Sequence, residues 1–233
     1  MKLICIYLRY FLIVLCIAIG VCDAKAQGGM EFPYPQIPTM MTEPQQRATY
    51  LLMHYWDNVD FKDMKLVANE DFIEQGFVNY LSVLPIVDAQ TAERSVEAMM
   101  KRAEMNVVAY KKLVNIAEKY LFEPNSPMVS DEMYIMFLNQ VMKTSVLSKV
   151  EKARFEYQHR VVMKNRVGSV ATDFLYIDKE GKSGTLHKFE AEETLLIFYD
   201  PDCDNCTEII EKLRYNRELN AKIMSGKMKV LAI

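Results

Sequence analysis

Thr194-Leu-Leu-Ile-Phe-Tyr-Asp-Pro-Asp-Cys-Asp-Asn-Cys206 is the stretch on which the fold of this chain turns. It opens with an apolar run, Thr194 to Tyr199, of the kind expected for a parallel strand buried on both faces. A polar turn follows, and Asp204 to about Met224 has helical character, ended by Ser225-Gly226-Lys227. Met228 to Ile233 (MKVLAI) is a second apolar run. Strand, helix and strand, with about 28 residues of crossover, predict one βαβ unit. Upstream of it, Thr172 to Asp178 (TDFLYID) reads as a strand, Lys179-Glu180-Gly181-Lys182 as a turn, and Gly184 to Phe189 as a weaker return strand.

The cysteines sharpen that reading. Cys203 and Cys206 fall where the first strand of the unit gives way to its helix. Two cysteines scattered over roughly 200 residues would stand three apart only about one time in a hundred. A thiol at a helix start faces unsatisfied N–H groups and the positive end of the helix dipole, both of which favour thiolate. Cys203 comes first and is the expected nucleophile. Cys206 lies one turn inside on the same helix face and can attack a mixed disulfide to release the partner. Asp200, Asp202 and Asp204 surround the pair, and negative charge opposes thiolate formation.

Before Gly168 the period is helical. Thr42 and Gln45 have the spacing of a capping box, with Ala48, Leu51, Leu52, Tyr55 and Val59 following. Asn69 is placed to cap a second helix ending near Pro85. Ala92, Val96, Met99, Ala103, Val107, Tyr110, Val114, Ala117 and Leu121 predict one long packed helix, stopped by Glu123-Pro124. Ser130 caps a fourth helix to about Ser145, and a fifth, polar one runs to about Lys164. His54, Tyr55 and Trp56 are expected to pack in the core with one polar edge satisfied, and the methionine-rich stretches at Met99-Met100 and Met133–Met136 are expected in the core as well.

Residues 1–26 have the layout of an export signal. Lys2 and Arg9 supply the positive start, Phe11 to Cys22 the apolar stretch, and Ala24-Lys25-Ala26 the cleavage site. Cleavage before Gln27 removes Cys5, Cys16 and Cys22, leaving Cys203 and Cys206 in a compartment where disulfides persist. It leaves 25 basic and 30 acidic residues, net −5. Nothing in the net charge, −3 before cleavage, suggests a nucleic-acid surface. Residues 27–41, with three prolines and two glycines, read as a tether. The expected organisation is signal peptide 1–26, tether 27–41, helical domain 42–164 and α/β domain 165–233. The fold class is α+β, an all-α domain followed by a partial α/β unit.

Four stretches carry a family resemblance: Gly168-Ser-Val-Ala-Thr-Asp-Phe, Ile177-Asp-Lys-Glu-Gly-Lys, Leu196-Ile-Phe-Tyr-Asp-Pro-Asp-Cys-Asp-Asn-Cys and Lys229-Val-Leu-Ala-Ile. Over about 65 residues the chain resembles the thioredoxin superfamily, specifically periplasmic thiol–disulfide interchange proteins of the cytochrome-maturation type. The resemblance implies a nucleophile at Cys203, a resolving thiol at Cys206, protein thiols or disulfides as partners, and no cofactor. The helical region, notably His54-Tyr-Trp-Asp-Asn-Val-Asp-Phe, resembles an uncharacterised domain found ahead of such modules in exported proteins. There are departures. Asp202 stands where Trp commonly precedes the nucleophile, and Ile197 where thioredoxin has a buried carboxylate. Ile209 replaces a frequent acidic residue, so Glu208 is the remaining, weak candidate base for Cys206. The last six residues are an apolar strand, and no proline follows Pro201, so the thioredoxin-like domain is expected to be truncated.

Other chemistries fit less well. Zinc wants four ligands, and His54, His159 and His187 are scattered singly. A structural Cys203–Cys206 disulfide would close only a tiny loop and stabilise little. The reading is an exported thiol–disulfide oxidoreductase, with a non-catalytic interaction protein carrying a vestigial thioredoxin-like part as the alternative. Membrane contact is expected only through an uncleaved signal.

Overall fold

Side-chain caps set most helix starts in the computed structural model, which describes residues 30–200 and 202–233. The export signal and the first three tether residues lie outside the described residues. The chain divides between Met163 and Lys164 into two compact units.

The first unit is helical. Helix α1 (Pro44–His54) starts on Pro44, whose fixed φ suits a first helical position, and Glu43 caps it without a side-chain bond. The expected Thr42–Gln45 capping box is therefore not formed; Gln45 Nε2 instead donates to the Ile86 carbonyl at 3.1 Å. Asp63 caps the short α2 (Met64–Ala68). Asn69 accepts from the Phe72 N–H at the start of α3 (Glu70–Val83), which runs into a 3-10 turn at Leu84–Ile86. Ser130 caps α6 (Asp131–Lys143). Ser148 and Glu151 form a reciprocal capping box on α7 (Lys149–Val162), which the sequence reading passed over.

The single long helix expected from Ala92 to Leu121 is two, α4 (Ala89–Ala103) and α5 (Val107–Leu121). Asn106 ends the continuity by accepting from the N–H groups of Val108 and Ala109 at 3.0 and 3.5 Å. The apolar repeat persists across the break. Ala92, Val96, Met99, Ala103, Tyr110, Val114, Ala117 and Leu121 are all buried, while Val107, expected in the same seam, is exposed.

Helix α1 packs on α4, α4 and α5 pack on α6, and α6 packs on α7 around one core. Polar atoms in that core are mostly paired. Ser95 Oγ donates to the Leu52 carbonyl at 2.8 Å, so its remaining capacity accepts the Tyr80 hydroxyl at 2.7 Å. Tyr55 donates to the Gly76 carbonyl at 3.0 Å. Tyr55, Trp56, Met99 and Met100 are buried as expected, whereas His54 is only half-buried and outside the core, its Nδ1 2.7 Å from Asp57.

Residues 30–41 carry no helix or strand, yet they are anchored rather than a free tether. Phe32 packs on Tyr34, Tyr55, Trp56 and Phe72, with ring centroids 5.0–5.4 Å apart. Asn58 donates to the Pro33 carbonyl and Asn79 to the Tyr34 hydroxyl. The aromatic area buried outweighs the loose composition of the segment.

The second unit is α/β. Strands β1 (Leu175–Ile177) and β2 (Ser183–Thr185) pair antiparallel, with Tyr176 opposite Gly184. Asp178 Oδ1 accepts from the N–H groups of Glu180 and Lys182 across the turn, and Gly181 supplies its positive φ of 82°. Strands β3 (Glu193–Ile197) and β4 (Met228–Ala232) pair parallel, Leu195 opposite Val230. The crossover expected as one helix is two, α8 (Asp204–Arg214) and α9 (Arg217–Met224). Asn216 divides them by accepting from the Leu219 N–H. The expectation of strands buried on both faces is not met: no described residue of 164–233 is buried, and Phe198 is 68% exposed. Among the described residues β3 and β4 form a sheet of two strands, and neither strand contains a buried residue.

Candidate redox site

The loop from β3 to α8 carries both cysteines. Asp200 begins a tight turn in which its Oδ1 accepts the Asp202 N–H at 2.9 Å and its carbonyl accepts the Cys203 N–H at 3.2 Å. That turn delivers Cys203 to the N-cap of α8 in an extended conformation (φ −98°, ψ 114°). Its carbonyl takes the first helical bond, from the Thr207 N–H at 3.1 Å, reinforced by the Thr207 hydroxyl. Cys206 follows in the first turn. Both are free thiols and half-buried.

An N-cap side chain normally accepts from the N–H groups of the second and third helical residues. Here that acceptor is sulfur. The backbone N–H and then the thiol of Cys206, with the Asn205 N–H, hold the Cys203 thiol below its ordinary range. Partial desolvation and the negative charge of Asp200 push the other way and are outweighed. Asp200 thus moderates the thiolate without abolishing its advantage.

The structure brings Cys203 and Cys206 together at one helix start, with Asp200, Asp202 and Asp204 all exposed around them. It does not bring Glu208 to the resolving thiol as a free base, since Glu208 is paired with Lys212 at 2.6 Å along α8. Ile197 ends β3 and supplies no carboxylate. Asp200 acts by building the turn as well as by charge, and Asp202 donates its backbone N–H to that turn, which the sequence reading missed. An Asp two residues before a helix-start turn was the available signal. Among the described residues no group of three or more His, Cys, Asp or Glu could hold a metal ion.

Residues 18–165 match the family described as a domain of unknown function (DUF5106). A solved structure, a thioredoxin-like protein from Bacteroides caccae ATCC 43185, is 34% identical, with 88% of this chain and 74% of that chain covered and a TM-score of 0.82. A second, the C-terminal domain of an uncharacterized protein from Bacteroides fragilis NCTC 9343, is 41% identical over 29% of this chain and 49% of its own, with a TM-score of 0.29. No curated protein matches the chain. The helical unit, the parallel strands with CxxC at the helix start, the family match over residues 18–165 and the likeness to the Bacteroides caccae structure lead to one conclusion: the chain belongs to the DUF5106 family, with a thioredoxin-like α/β unit behind its helical domain.

Proposed function

We propose that this protein is an exported thiol–disulfide oxidoreductase in which Cys203 attacks and Cys206 resolves. The observation that carries the reading is the Cys203 sulfur at the N-cap of α8, where amide donors from Asn205 and Cys206 stabilise its thiolate. In the reducing direction the Cys203 thiolate attacks one sulfur of a partner disulfide. A Cys203–partner disulfide forms, and the other partner sulfur leaves as thiolate. Cys206 loses its proton to solvent and attacks the Cys203 sulfur. The second partner thiolate leaves, and the Cys203–Cys206 disulfide remains. The partner gains two electrons and the pair loses two, so a further thiol donor restores the pair each cycle.

The layout of residues 1–26 supports work in the cell envelope, where protein disulfides persist as partners. The four quoted stretches support a periplasmic interchange role of the cytochrome-maturation type. Insulin-disulfide reduction with dithiothreitol as donor tests the chemistry. Turnover above background, lost in Cys203→Ala, is the expected result, and wild-type protein no faster than dithiothreitol alone overturns the reading. Cell fractionation, with mass spectrometry of a mature chain starting at Gln27, tests the location.

A further inference from the structure

The helical unit contains a cavity of about 680 Å³ between the anchored arm and α3, within the size range of small-ligand sites. Neither cysteine lines it. Aromatic rings from Phe32, Tyr34, Phe72 and Tyr120 border it, together with the carboxylates of Asp71 and Glu74, and no Lys, Arg or His does.

Its polar groups divide into two kinds. The amides are turned on one another: Gln75 donates to Asn79 and Asn79 to the Tyr34 hydroxyl, both at 2.8 Å. They hold the arm to the helix. Glu74 is tied by Lys119 and the Tyr120 hydroxyl, which keep its carboxyl below the usual range. Asp71 is exposed on the same face of α3 as Gln75 and Asn79 and has no ion-pair or hydrogen-bond partner among the described residues. The start of α3 contributes roughly half a positive charge, against a full negative one on Asp71. The stacked Phe32–Phe72 pair, 5.4 Å apart, adds apolar ring surface to the wall.

We infer that this cavity binds an organic cation, an ammonium or guanidinium group, with Asp71 as its counter-ion and its aliphatic stem against the Phe32–Phe72 pair. Anionic ligands meet two carboxylates and no cation in the lining. The same chemistry comes from a free amine or from a Lys or Arg side chain of a peptide, and the test separates the two.

Calorimetric titration of the full chain uses three probes: agmatine, an end-blocked Gly-Arg-Gly peptide, and neutral maltose. Binding of agmatine or the peptide is expected, weakened about tenfold by Asp71→Asn and reduced by raised NaCl. Tighter binding of agmatine assigns a free amine, and tighter binding of the peptide assigns a side chain. Asp71 is exposed, so the variant should keep its fold, which circular dichroism checks. No binding of either cation, equal binding of maltose, or unchanged affinity in Asp71→Asn overturns the inference.

Discussion

Phe32 lies across Gly76, and a Cβ built on that glycine would meet the ring at 2.3 Å. The arm is seated because residue 76 of α3 has no side chain. Gly76→Ala gains about 1 kcal/mol of helix propensity but sets a methyl against a ring wedged among four other aromatics, an overpacking cost of about 1–3 kcal/mol. Net destabilisation is expected in urea melts. In a Phe32→Ala background the sign should reverse, and a substitution equally harmful in both backgrounds would show that Phe32 is not the obstacle.

The two thiols should differ in reactivity. After reduction, iodoacetamide should label Cys203 before Cys206, because the helix-start donors hold the Cys203 thiol below its ordinary range. Peptide mapping of partly alkylated protein reads the order. Preferential labelling of Cys206 reverses the assigned roles.

Asp200 raises the cost of the Cys203 thiolate. Removing that charge in Asp200→Asn should move the pH midpoint of Cys203 alkylation downward, and the triple variant that adds Asp202→Asn and Asp204→Asn should move it at least as far. An upward shift would mean that the turn built on the Asp200 carboxylate matters more than its charge.

Glu151 gives a prediction for acid stability. Lys111, then the Ser148 hydroxyl and N–H, hold its carboxyl at about 2, against an ordinary 4.5. A folded value below the unfolded one contributes stability above the unfolded pKa, and that contribution is lost as pH falls toward the folded value. The difference in urea midpoint between wild type and Glu151→Gln should therefore shrink from pH 6 to pH 2.5. A constant difference across that range would remove Glu151 from the account.

The helical unit should fold alone. Its core is drawn entirely from residues before Lys164. A polypeptide ending at Met163 is expected to melt cooperatively with its helicity retained, followed by circular dichroism. Loss of helicity on removing 164–233 would show one shared core.

Much of this was legible in the sequence because short polar residues announce where backbone needs a partner. Asn69, Ser130 and the CxxC at a strand-to-helix turn are of that kind. The misreadings share a cause. Asn106 and Asn216 also cap helices, but each sits inside a stretch whose apolar spacing continues across the break, so periodicity concealed the interruption. The tether reading of 27–41 rested on proline and glycine content, and the rings that anchor Phe32, those of Tyr55, Trp56 and Phe72, with the space left by Gly76, lie too far along the chain for composition to show them. The amides that stabilise the Cys203 thiolate are backbone, and a sequence shows such donors only through the position of a helix start.

Trp56 is the chain's single tryptophan. It is buried, edge-on to Phe32 at 5.3 Å, and its indole N–H has no hydrogen-bond partner among the described residues. Its emission should be blue-shifted, and it belongs to the helical unit alone. The protein thus carries its own optical label: fluorescence follows one half of the molecule, and thiol chemistry at Cys203 and Cys206 follows the other. The order in which the halves come apart can be read in one sample without adding a dye.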